Sequence, residues 1–147
     1  MLRFLKRLLL TDPTADWARV VQDPVLGELR LNEDATWWDA AVPLSGGRVL
    51  RFRVGGEGEP APALVAHARE IASGFTAFEG TVRAFLAAEA AKRPDLAGEV
   101  PRLEIDTVCL LWPERPGDGE IEFRGPDPSR LRVCGIKDGL PVNLGLG

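Results

Sequence analysis

The chain has 147 residues, 45% apolar and 27% charged, the make-up of an ordinary globular domain. That balance excludes a disordered tail, a collagen-like repeat and a membrane bundle, and 18 basic against 22 acidic residues argue against a dedicated nucleic-acid binder. One histidine and no tyrosine leave little of the usual acid–base repertoire.

The N-terminal run Met1–Leu10 is basic and apolar together. Wound as a helix it puts Met1, Phe4, Leu5, Leu8 and Leu9 against Arg3, Lys6 and Arg7, and Asp12-Pro13 favours its end. Basic residues interrupt the apolar run and no small-residue cleavage site follows, so a signal peptide is not expected. Residues 1–12 read as an amphipathic segment for docking on the domain, on a second copy or on a membrane surface. Residues 16–147 read as a single α+β domain, expected in the cytoplasm.

Asp16–Gln22 reads as a helical turn or the lead into a strand. Val25–Leu31 alternates as a half-buried strand, Thr36–Val42 as the next, and Arg48–Val54 as a third with Leu50, Phe52 and Val54 inward. Short polar turns join them as an antiparallel meander. After Gly55–Pro60 the period changes to 3.6. Leu64, Val65, Ala68, Ile71 and Ala72 form one helical stripe; Phe75, Phe78, Val82, Phe85, Leu86 and Ala90 form another. Ser73-Gly74 between them predicts two helices or a kink, and Thr76–Glu79 fits a capping box. Beyond Arg93-Pro94, a strand over Arg102–Trp112 puts Leu103, Ile105, Thr107, Cys109 and Leu111 on one face. Glu104, Asp106, Val108, Leu110 and Trp112 fall on the other. Glu120–Arg124, Leu131–Cys134 and Leu140–Leu144 follow, the last two flanking a hairpin turn at Asp138-Gly139. The expected fold is an antiparallel sheet with the helical segment on one face, strand order open.

Chemical motifs are few. His67 beside an apolar stripe reads as a boundary residue, and Ser45 and Ser129 as turn residues, with no nucleophile signature around them. Gly55-Gly-Glu-Gly58 carries Glu57 and is followed by Glu59, both of which repel phosphate, and reads as a linker. Asp118, Glu120, Glu122 and Asp127 lack the order of a calcium loop and read as a solvated face. Cys109 and Cys134, flanked by apolar strand residues, read as buried reduced thiols. No catalytic residue, metal or cofactor is expected.

Strand alternation instead gathers Trp37, Trp112, Arg51, Arg53, Glu104 and Asp106 on the polar sheet face, a Trp/Arg mixture typical of binding hot spots. Packing of one or both tryptophans against a core edge or under the N-terminal helix is the competing reading. Asp23-Pro-Val-Leu-Gly-Glu-Leu29, a tryptophan in the next strand and Asp138-Gly-Leu-Pro-Val-Asn-Leu-Gly145 resemble small uncharacterised bacterial α+β domains, some of them suspected immunity proteins beside polymorphic toxins. The resemblance implies a protein partner, such as a toxin, and no catalytic set. The competing function is a small-ligand binder or hydrolase-like enzyme using Glu104, Asp106, Glu120 and Glu122, which needs a pocket that shifts their pKa values apart.

Overall fold

A computed structural model describes residues 19–34 and 36–146. The amphipathic segment expected over residues 1–12 lies outside the described residues. Four strands precede the helices: β1 (Val20–Asp23), β2 (Gly27–Leu31), β3 (Trp38–Pro43) and β4 (Val49–Val54). Helices α1 (Pro62–Ser73) and α2 (Phe75–Lys92) follow, then β5 (Glu104–Leu110), β6 (Gly119–Arg124), β7 (Arg132–Lys137) and β8 (Leu140–Leu146). All eight strands form one sheet in chain order.

Pairing is antiparallel throughout except between β4 and β5, which run parallel. The α+β fold and a mostly antiparallel sheet are as expected, and the one parallel pair is what strand alternation did not foresee. The helices carry the chain back to the end from which β4 started, and a crossover of that length is what a parallel neighbour needs.

The first meander has four strands where alternation suggested three. Asp23 closes the β1–β2 turn by accepting the Val25 and Leu26 N–H groups at 2.9 and 2.8 Å. Val25 and Leu26 therefore belong to the turn, and the lead-in residues form β1. Arg69 on α1 donates its Nε–H to the same carboxylate at 2.8 Å, tying the turn to the helix. Burial opposes ionisation of Asp23, but the Arg69 bond, with help from the two N–H groups, holds its carboxyl below the usual value of 3.8.

The inner sheet face carries Trp38, Leu50, Phe52, Val54, Ile121 and Phe123, and it forms one core with Leu64, Ala68, Ile71, Val82 and Leu86 of the helices. Each valine, leucine, isoleucine or phenylalanine among them taken fully from water stabilises the fold by about 1.5–3 kcal/mol, before conformational entropy is set against it. Trp38 is fully buried without an orphaned donor, because its indole N–H reaches the Gly56 carbonyl at 3.2 Å. Gly56 takes φ +145°, and a Cβ there would lie 2.2 Å from the Glu59 carbonyl, so only glycine fits this exit from β4.

Gly74 separates the helices as expected. Its N–H closes α1 on Glu70, and its carbonyl accepts the Phe78 N–H to open α2. The expected Thr76–Glu79 capping box does not form, since Gly74 is the N-cap and no side chain caps α2. Glu79 instead binds Arg48 at 2.6 Å. Arg132, 5% exposed, is held by Glu99 through two bonds of 2.8 Å, so its buried charge is matched in full.

A bulge in β5 changes the site more than any other feature. Ile105 lies opposite Phe123, while Thr107 lies opposite Glu122, so Asp106 is the extra residue. Val108 and Leu110 consequently turn inward, and Thr107 and Cys109 join Glu104 and Asp106 on the outer side. The even alternation expected over Arg102–Trp112 is reversed beyond residue 106. At the Asp138-Gly139 turn both residues have positive φ, 52° and 81°, as a tight hairpin requires. Among the described residues no helix is long and apolar enough to cross a membrane.

Candidate functional site: the outer sheet face

Both helices pack into the core on the inner face, and among the described residues nothing covers the outer one. Alternation determines what that face presents. The register places Arg30 of β2 opposite Asp39 of β3, Asp39 opposite Arg53 of β4, Arg53 opposite Cys109 of β5 and Cys109 opposite Glu120 of β6. The next row sets Ala41 opposite Arg51, Arg51 opposite Thr107 and Thr107 opposite Glu122. Charges of opposite sign thus follow one another across the strands, an arrangement that stabilises the sheet by a few tenths of a kcal/mol per pair.

The pairs are specific. Arg53 donates to Glu122 at 2.9 Å, and its guanidinium carbon stands 5.2 Å from the Trp37 ring centroid. Burial works against the Arg53 charge, yet Glu122, with smaller help from Cys109 and Asp39, holds its pKa above the usual value. The Trp37 indole N–H donates to Asp39 at 3.0 Å. Arg124 binds Asp106 at 2.7 Å and Glu104 at 3.0 Å, and Arg30 binds Glu28 at 2.8 Å. Arg51 comes no nearer than 3.7 Å to Asp106. Because Ala41 carries only a methyl group, the second row has a gap. A recess of about 390 Å³ opens there, bordered by Glu28, Arg30, Asp39, Arg51, Arg53 and Thr107.

Five of the six residues expected on the polar face are together: Trp37, Arg51, Arg53, Glu104 and Asp106. Trp112 is not with them. It has the parity of Val108 and Leu110 and lies half-buried beyond the end of β5, with the Arg115 guanidinium carbon 5.2 Å from its ring centroid. The bulge is the reason. Asp106 neighbours Arg51 and Arg124, and Glu104 neighbours Arg124, because the strand order puts β6 on their other side.

Glu122, a candidate of the competing reading, lies on this face bound to Arg53. Ala41 and Arg124 were missed, and they follow from the alternation of β3 and β6 once those strands are placed beside β4 and β5. Cys109 and Thr107 are legible only through the bulge. Cys109 is 4% exposed and Cys134 buried, and both are free thiols. Burial first, then Glu122, pushes the Cys109 thiol up to about 12 despite Arg53, which makes it a poor nucleophile at neutral pH.

The other candidates have local tasks. His67 donates its Nδ1–H to the Pro116 carbonyl at 2.6 Å, fastening α1 to the loop after β5. Asp118 accepts the Asp138 N–H at 3.1 Å, and Asp127 accepts the Ser129 N–H and hydroxyl at 3.0 and 2.7 Å. Comparison with family models, curated proteins and solved structures finds no match for the chain.

Proposed function

We propose that the chain is a non-enzymatic protein-interaction domain that docks a protein on its outer sheet face. The observation that carries this reading is the outer face, uncovered among the described residues, where Trp37 sits under Arg53 amid arginines and carboxylates that neighbouring strands hold in fixed positions. Side chains already ordered by intrasheet pairs lose little freedom on binding, and such charges favour encounter and register over bulk affinity. Glu104, Asp106 and Glu122 are neutralised by arginines on this open surface. The same groups give an acid–base enzyme little to work with and a complementary protein surface a good deal.

The resemblance of the turn and strand motifs to immunity-type domains supports a bacterial toxin as the partner, bound and blocked by occlusion in the cytoplasm. Affinity capture from the native cell extract tests the reading when three versions are compared. The wild-type chain and a variant altered on the exposed side of α2 (Ala87→Glu) should retain one partner at equal stoichiometry. The double variant Trp37→Ala/Arg51→Ala should lose it, with binding weakened by more than ~2 kcal/mol. Equal capture by all three rejects the face.

A further inference from the structure

We propose that the recess at Ala41 is the anchor point of the docking face and takes an acidic side chain of the partner, with Arg51 as its principal donor. This inference rests on the reading of the outer face as a docking surface. Three guanidinium groups, those of Arg30, Arg51 and Arg53, border the same recess. They differ in what they already hold. Arg30 is bound to Glu28 and Arg53 to Glu122, each through a bond within 2.9 Å. The Arg51 guanidinium makes no hydrogen bond among the described residues, only a looser ion pair of 3.7 Å with Asp106. The Arg51 side chain is 56% exposed, and its nearest acid, Asp106, gives its closer contact to Arg124.

A guanidinium presents five N–H donors in a planar fork suited to a carboxylate, and those of Arg51, bonded to no other described residue, stand at the border of a space wide enough to admit one. The two acids that border the recess do not compete for that role. Glu28 accepts from Arg30, and Asp39 accepts from the Trp37 indole. A glutamate or aspartate entering over the Ala41 methyl group would therefore meet directly the one cation of the three that has no hydrogen-bonded partner among the described residues, and two more at its sides.

Hexaglutamate serves as the probe, titrated into the full-length ¹⁵N-labelled chain at low salt. The Ala41 amide, the Arg51 amide and the Arg51 Nε–H resonance should move together and saturate, while hexalysine leaves them in place. Arg51→Gln should raise the Kd about tenfold or more, as expected for loss of a charge-assisted bond. Ala41→Leu, which fills the recess on an exposed strand position, should do the same without unfolding the sheet. Unmoved resonances, equal binding of hexalysine, or wild-type affinity in both variants overturns the proposal. So does inorganic phosphate binding as tightly as hexaglutamate, because the recess would then select a small anion. If capture of the partner is lost in Trp37→Ala/Arg51→Ala while hexaglutamate is ignored, the acidic anchor alone is wrong. If capture survives that double variant, the docking face is wrong.

Discussion

Replacing Asp23 with alanine should destabilise the fold by about 2–4 kcal/mol at pH 7, because one buried carboxylate closes the first hairpin and fastens it to α1. The substitution strands the buried Leu26 N–H and the partly buried Val25 N–H. An orphaned buried donor costs about 1–3 kcal/mol, and the Val25 group belongs at the low end because water can reach it. Nothing is added for Arg69, which rehydrates at the surface. Urea melts of the two proteins should differ in midpoint with the slope unchanged. The difference should depend on pH. The Asp23 pKa is depressed in the folded state, so the unfolded chain binds more protons near pH 3.8, and stability rises with pH through that region. The contribution of the ionised carboxylate is complete above the unfolded value and is lost as pH falls through the folded one. The gap between wild type and Asp23→Ala should therefore be widest at neutral pH and narrow below about pH 4. Equal midpoints at pH 7, or a gap that widens in acid, would refute this account of the turn.

Leu86→Ala, at a site 1% exposed, should cost about 2–5 kcal/mol in the same melts, and half-buried Phe78→Ala should cost less. Gly56→Ala should be among the most damaging single changes to thermal stability, since its methyl group has no room beside the Glu59 carbonyl. Cys109 should resist iodoacetamide at pH 8 in the folded protein and react once denatured, as mass spectrometry would show. Trp112→Ala should leave capture of the partner unchanged, in contrast to Trp37→Ala.

Much of this architecture is readable without coordinates, for identifiable reasons. The helices are legible because Leu64–Ala72 and Phe75–Ala90 each hold a 3.6-residue stripe and Gly74 breaks them apart. The last hairpin is legible because Asp138-Gly139 suits positive φ. Other features depend on what lies next to a strand, which periodicity does not record. Nothing local to Val54 or Glu104 says that β4 and β5 become parallel neighbours. Asp106 looks like any alternating residue until its pairing with β6 exposes the bulge. That single insertion moved Trp112 off the polar face and brought Thr107 and Cys109 onto it. Val25 and Leu26 look like strand residues because they are apolar, but Asp23 commits their N–H groups to a turn. The core of the candidate site survived because Arg51 and Arg53 lie on β4, where alternation is undisturbed, and Trp37 directly precedes β3.

The docking face is tested most directly by a photo-crosslinking side chain placed at position 41 on β3, with a second protein carrying it at position 87 on α2. Irradiation in the native cell should join the partner to position 41 and leave position 87 free, with the adduct at 41 abolished by Arg51→Glu. A partner joined at position 87, or an adduct at 41 indifferent to Arg51→Glu, would contradict the claim that the open sheet face binds it.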